Sequence, residues 1–420
     1  MPSPSVSALT ALPSNEDLPK TETMSQPTKY VPWDVVLAAG GTGGHILPAL
    51  ALADALEAQG LDRHRIGFVG GLHGSEAEIV PDAGLEFVGF DVRGLVRGIS
   101  PKAISANLSA IRRLLAARKA ARKLVAQRKV QIVCGMGGYA SVPAVLAGGR
   151  SARRPDVFVY ESNSVPGIAT RVAARRASFV GCAFEGTLVR LSEAERVGFI
   201  VRSELEQINR ELERPRAAAV YGIDAGRRVL VVMGGSQGAR SLNEATIGLL
   251  SGWRNRADVA VVHLTGRRDH DQILSEARAI LPADDSGGFT GPDTIQYVPV
   301  AFESQMQRVF GLADLVVCRS GAATCAELVV TETPAVCVPY PHATADHQAL
   351  NAAELESAGA VRVVADAELS GERLVDLTSD LLGDDASLGR MRSASRSLGA
   401  MNGREVLAEH IMAGLRAEPR

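Results

Sequence analysis

Aromatic residues make up only 4% of this 420-residue chain, and one long stretch of it has no acidic residue at all. Few aromatics beside 42 glycines argue against an all-β sandwich and for helices layered on parallel sheet. No apolar run reaches the roughly 18 residues that a membrane-crossing helix needs. The five cysteines (Cys134, Cys182, Cys318, Cys325, Cys337) form no Cys-x-x-Cys pair and are odd in number. That speaks against a secreted disulfide scaffold and a zinc site, and for a reducing cytoplasm. The remaining composition, 46% hydrophobic and 22% charged with a net charge of −2, is that of a folded protein. At about 150 residues per domain, the length predicts two or three domains.

The acid-free stretch runs from Val92 to Pro155, where 64 residues carry fourteen Lys and Arg. Either it is a solvated basic helix or it faces something anionic, such as phosphates, acidic lipid or nucleic acid. No nucleic-acid-binding motif accompanies the charge, so nucleic acid is not expected as a partner.

Residues 1–32 are rich in Ser, Thr and Pro and contain no apolar signal-like core, so they read as a disordered tail, within which Met24 offers an alternative start. Strands and helices then alternate. Val35–Ala38, Arg65–Val69, Ile132–Cys134 and Val157–Tyr160 read as buried parallel strands, with helices over Pro48–Gly60 and Lys102–Lys129. In the second of these helices Ile104, Leu108, Ile111, Leu115 and Leu124 recur at helical spacing, with the basic residues mostly elsewhere around the wheel. Arg190–Arg216 is charged and irregular, as a linker would be. The pattern then restarts with strands at Val229–Met233, Val259–Leu264, Asp314–Cys318 and Ala335–Val338, and helices at Ser241–Leu250 and Gln348–Ala358. This predicts an α/β chain of two Rossmann-like domains facing across a cleft, about 33–200 and 201–399.

Three glycine turns share a form: Gly40-Gly41-Thr42-Gly43-Gly44-His45, Gly135-Met136-Gly137-Gly138-Tyr139 and Gly234-Gly235-Ser236-Gln237-Gly238. Each follows an apolar strand, so backbone can approach a ligand closely, and a following helix offers free N–H groups to an anion. No Gly-Lys-Ser/Thr follows any of them, which excludes a kinase-type P-loop. The first turn lacks the third glycine of a dinucleotide fingerprint, and the strand ending at Gly70-Gly71 brings no acid for a ribose, which disfavours an NAD oxidoreductase.

With Glu161-Ser162-Asn163, the run Gly234 to Asn243, Cys318-Arg319-Ser320-Gly321 continuing to Thr324 and Glu327, and Pro339-Tyr340-Pro341-His342 before Asp346-His347-Gln348 and Asn351, these turns resemble the MurG family of GT-B glycosyltransferases. The resemblance covers the chain from about Val35 onward. It implies transfer of GlcNAc from UDP-GlcNAc to the MurNAc 4-hydroxyl of lipid I, giving lipid II at the cytoplasmic face of the membrane, beside other cell-wall synthesis proteins. The first domain would then take the acceptor, a helix near 400–420 would pack back on it, and the second domain would bind UDP-GlcNAc. Ser236 and Gln237 match the family's diphosphate turn, Glu327 its ribose ligand, Gln348 its sugar ligand and Met306 its uracil neighbour. Ala322, Ala323, Thr324, Cys325 and Ala326 surround the nucleotide sugar; Thr42, Gly43, Gly44 and Asn163 approach it from the first domain. Arg202 matches a phosphate-facing arginine, and Gly137, Gly138 and Tyr139 an acceptor pyrophosphate turn.

His45, at a helix start in the cleft, is the candidate general base, since its ordinary pKa near 6.5 suits that task; shaping the glycine turn is its alternative role, and Glu161 is a weaker rival. No Asp-x-Asp pair sits at a strand end, so no catalytic metal or cofactor is expected, and amides, helix dipoles and an arginine would carry the leaving charge. The chain departs from the family at Gly198-Phe199-Ile200-Val201 before Arg202, and at Thr331-Glu332-Thr333-Pro334, where a glycine-containing turn is usual. The competing readings are a GT-B enzyme with another lipid or small-molecule acceptor, and a non-catalytic nucleotide-sugar scaffold. The basic stretch, with Leu95, Val96 and Ile99 among Arg93, Arg97 and Lys102, predicts peripheral binding to anionic membrane centred on residues 93–129.

Overall fold

The structure, a computed structural model, describes residues 31–94, 100–149, 154–235, 238–282, 288–291 and 293–416. Seven strands form the first sheet: β1 (Val35–Ala38), β2 (Ile66–Gly71), β3 (Glu86–Phe90), β4 (Ile132–Gly135), β5 (Asp156–Glu161), β6 (Phe179–Cys182) and β7 (Glu195–Arg196). They lie parallel in the order β3-β2-β1-β4-β5-β6-β7. Six more, β8 (Arg228–Met233), β9 (Val259–Leu264), β10 (Gln296–Val300), β11 (Leu315–Cys318), β12 (Ala335–Cys337) and β13 (Val361–Val363), form a second parallel sheet in the order β10-β9-β8-β11-β12-β13. In both sheets the order reverses beside the first strand, the crevice where open α/β sheets hold ligands. The central strands are buried on both faces, which explains their unbroken Val, Leu and Ile runs.

Several expectations change. The first helix begins at Gly43, not Pro48, so Gly43, Gly44 and His45 form its first turn. The stretch expected to be irregular linker contains β7 and a helix, Arg210–Tyr221. Asn209 caps that helix by accepting from the amides of Glu211 and Leu212, and Gly222 ends it in a left-handed conformation. A Gly403–Arg416 helix lies against the Gly43–Ala58 helix, and a Cβ at Gly414 would stand 3.0 Å from Ile132 and 3.1 Å from Phe158.

The Pro101–Gln127 helix falls where a helix over Lys102–Lys129 was expected. Its large apolar residues point outward: Ile104, Leu108, Ile111 and Leu115 are 46–59% exposed. Its buried residues are Ala103, Ala110, Ala117, Ala121 and Val125, the last three in one apolar cluster with Trp33, Val36 and Val133. Small side chains let the helix lie close to the Val142–Val145 helix and leave the larger ones on the far side. Of the basic residues, Arg128 is buried over Trp33 and pairs with Glu86, and Arg113 pairs with Asp91. Residues 1–30, Leu95, Val96, Arg97, Ile99, Arg150 and Arg153 lie outside the described residues.

Candidate active site

The loops after β1 and β4 interlock. A Cβ at Gly137 would stand 2.6 Å from Nδ1 of His45, and one at Gly138 would stand 2.0 Å from the Gly40 carbonyl. Both glycines also have positive φ, so no side chain fits between imidazole and turn. His45 Nδ1 is buried without a hydrogen-bond partner. Burial lowers the pKa of this imidazole, while the Glu161 charge, the Met136 carbonyl and the Glu76 charge pull it up and His347 pushes it down. The ring is therefore neutral at physiological pH and able to accept a proton. Thr42 caps the helix without a side-chain bond, leaving its hydroxyl and the amides of Gly43 and Gly44 at the helix start. Tyr139 is half-buried beside the turn, and its hydroxyl pKa is raised by burial.

Glu76, which sequence reasoning missed, holds this loop from beneath. Its carboxylate accepts from the amides of Gly71 at 2.8 Å and Gly41 at 3.4 Å. An acid thus does follow Gly70-Gly71, but it binds the turn's own backbone and is not free for a ribose. The only sequence signal was an acid in a helix's first turn soon after a glycine pair.

From the second sheet, Gly321 starts the Ala322–Val330 helix with no side-chain cap, and the Cys325 amide bonds Gly321. The amides of Ala322, Ala323 and Thr324 are left for other partners. The Cys325 and Ala326 side chains are buried in the core. Glu327 shares a crevice with Leu47, Pro48, Ile200, Val201, Arg202 and Ala323, which brings together the first helix, the crossover segment and the second sheet. Burial pushes its carboxyl up to about 7, and the Arg202 charge opposes that shift. The Nε of Arg202 is buried and unpartnered. Across the cleft, a Cβ at Gly44 would come within 4.0 Å of Ala323.

Residues 35–181 match the Glycosyltransferase family 28 N-terminal domain, and residues 229–411 the Glycosyltransferase family 28 C-terminal domain. The chain is 33% identical over 382 residues to the Halothermothrix orenii protein named UDP-N-acetylglucosamine--N-acetylmuramyl-(pentapeptide) pyrophosphoryl-undecaprenol N-acetylglucosamine transferase, covering 90% of this chain and 98% of that one. An Acidothermus cellulolyticus protein of the same name is 36% identical over 379 residues, covering 90% and 96%. The crystal structure of Acinetobacter baumannii MurG superposes with a TM-score of 0.69 at 26% identity, covering 91% of this chain and all of that one. The chain belongs to the MurG family. The calicheamicin glycosyltransferase CalG4, at 15% identity, TM-score 0.61 and coverage of 92% and 100%, shares the fold alone.

In this MurG-family chain several of the expected residues meet neighbours from both halves. Asn163 meets Asn351 of the second half, whose Nδ2 donates to its Oδ1 at 3.2 Å. Glu161 is buried and accepts from the Asn163 amide and side chain, the Gly167 amide and Thr170. So bonded, it orients Asn163 and has no lone pair to spare as a base. Gln348 is half-buried, and its Oε1 accepts from the Tyr340 amide at 3.0 Å. Met306 starts the Met306–Leu312 helix, which packs beside the Arg210–Tyr221 helix. Ser236 and Gln237 lie outside the described residues. After them a Cβ at Gly238 would stand 2.4 Å from the Thr265 carbonyl, so Gly238 sits tightly on the loop after β9. Arg319, in the Cys318 motif, donates to Asp366, Ser241 and the Val338 carbonyl, tying together loops after neighbouring strands.

Proposed function

We propose that this chain transfers GlcNAc from UDP-GlcNAc to the MurNAc 4-hydroxyl of lipid I, forming lipid II. The observation that carries the residue-level reading is the Glu327–Arg202 crevice, where a carboxyl raised to about 7 and a guanidinium whose buried Nε has no partner lie beside the first helix of one half and the Ala322–Val330 helix of the other. In this reading the Glu327 carboxylate accepts from the ribose hydroxyls. Arg202, the free amides at Ala322 to Thr324, and the Ser236 turn stabilise the departing diphosphate. Gln348 and Asn163 hold the sugar. His45 takes the proton of the acceptor hydroxyl as that oxygen bonds to the anomeric carbon from the face opposite UDP. One displacement inverts the configuration, and UDP leaves with the electron pair of the broken bond. Gly137 and Gly138, packed on His45, and Tyr139 after them supply the turn for the acceptor pyrophosphate.

The acceptor's lipid chain sets where the enzyme works. No helix among the described residues is long and apolar enough to cross a membrane. The outward stripe Ile104, Leu108, Ile111 and Leu115, beside exposed Arg112, Lys119, Arg122 and Lys123, supports peripheral docking on the anionic cytoplasmic face of the membrane. Release of UDP from UDP-GlcNAc that depends on a lipid I analogue, with lipid II as product, tests the reading. Turnover with a different acceptor and none with lipid I would reject it.

A further inference from the structure

The two halves of the molecule are joined by a carboxylate that forms no ion pair among the described residues. Glu354 lies on the His347–Ser357 helix of the second half, and its side chain reaches across to the first. One oxygen accepts from the Glu185 amide at 2.6 Å; the other accepts from the Gly186 amide at 3.1 Å and from Ser164 Oγ at 3.0 Å. One turn earlier, Asn351 accepts from the Ser164 amide at 2.8 Å. Room at this junction is limited, since a Cβ at Gly186 would stand 2.0 Å from Ser164 Oγ and 3.1 Å from Glu354 Oε2.

The helix that carries Glu354 also carries Gln348, and it is joined to the preceding loop in an unusual way. Ala345 and Asp346, neither of them glycine, take φ of 53° and 52° in succession. Side-chain-bearing residues avoid that region unless surrounding contacts impose it. Gln348 itself is fixed within the second half, its carbonyl accepting from Ser320 Oγ at 2.9 Å and its Oε1 from the Tyr340 amide at 3.0 Å, so the contacts made further along the helix set how that half stands over the first.

We propose that Glu354 is a positioning residue, a clasp between the halves that holds the Gln348 helix at a set height over the first half so that donor and acceptor meet in register. This rests on the transferase reading above. Glu354 touches no reacting atom in it and acts through the placement of Gln348. Three donors converge on its two oxygens, so glutamine is a poor substitute: its amide NH2 would face backbone N–H groups.

The test uses the full chain with spin labels at exposed Asp82 and Glu372, one on each half, without substrate. Glu354→Gln perturbs the clasp from the second half and Gly186→Ala from the first. Each should broaden the interhalf distance distribution, and the double variant should broaden it no further, as expected of two residues in one contact. Turnover should fall about tenfold in each, with UDP affinity held to within about twofold, since the contact aligns two sites and builds neither. An unchanged distance distribution in Glu354→Gln overturns the proposal whatever the activity. UDP affinity falling in step with turnover overturns it too, by showing damage within the second half. Broadened distances in a chain whose native form transfers no GlcNAc would leave the clasp standing and reject the transferase reading.

Discussion

Replacing Glu327 with glutamine should make the protein more stable while loosening its hold on the donor. Burial in the crevice raises this carboxyl from 4.5 to about 7, only partly countered by Arg202. A carboxyl with a raised folded-state pKa holds its proton more tightly when folded. Its ionised form is therefore a cost to stability, complete above pH 7 and absent below about pH 4.5. The shift of roughly 2.5 units, at about 1.36 kcal/mol each, sets a ceiling of about 3 kcal/mol. The group is only half-buried and Arg202 would lose its nearby charge, so a gain of about 1–2 kcal/mol at pH 8 is the reasonable figure. Between pH 8 and pH 5 the advantage of Glu327→Gln should shrink toward zero. UDP binding should move the opposite way: losing charge-assisted bonds to the ribose costs about 1.5–3 kcal/mol, roughly 10- to 150-fold in affinity. Urea denaturation at the two pH values and calorimetry with UDP measure both effects. Unchanged UDP affinity would refute the ribose contact, and a variant less stable at pH 8 would refute the account of a strained carboxylate.

In the native protein UDP affinity should weaken as pH drops through 7 and Glu327 takes up its proton; a flat titration by calorimetry from pH 8 to 6 argues against that. His45→Ala should lower turnover by about 10²–10⁴ while leaving donor affinity nearly unchanged, and a near-native rate would reduce His45 to shaping the glycine turn. Because burial lowers the His45 pKa, turnover at saturating donor should persist below pH 6.5. Leu108→Asp with Leu115→Asp removes two half-exposed apolar side chains worth about 1 kcal/mol each on membrane burial, roughly a 30-fold loss in vesicle binding. Charge reversal at Arg112, Lys119 and Arg122 should release the protein as well, with UDP binding intact. Sedimentation with anionic vesicles that ignores salt and both variants would falsify the docking surface.

Strand runs and glycine turns were legible in the sequence because each has a local cause: burial on both faces, or backbone that no side chain can join. The outward stripe of the Pro101–Gln127 helix was not legible as such. Periodicity shows that apolar residues share a face, but here the alanines form the inner face and the larger residues the outer one. Glu76 and Glu354 were invisible for a different reason: their carboxylates accept from backbone amides, and those at Gly41, Glu185 and Gly186 lie far along the chain. The unusual Thr331-Glu332-Thr333-Pro334 turn has a visible cost. Glu332 takes φ of 52°, where glycine would be unstrained, and its carboxylate meets Arg396. Gly198-Phe199-Ile200-Val201 also has a structural use. The Phe199 carbonyl accepts from the Gly403 amide, and Phe199 and Ile200 are buried where the chain passes between the halves.

That return of the Gly403–Arg416 helix to the first sheet affects the order in which the protein can be made. Leu407, Ala408 and Ile411 belong to the same apolar cluster as Val35, Leu37 and Ile46. A ribosome that has finished residues 33–200 has therefore produced an incomplete half, with one apolar face of the Gly43–Ala58 helix still open to water. At roughly 5–20 residues per second, that face waits about 10–40 s for its cover. Over that interval the nascent chain presents a sticky surface to chaperones and to other copies of itself. Weakening the final helix should therefore reduce soluble yield in cells more than it lowers the melting temperature of the purified protein.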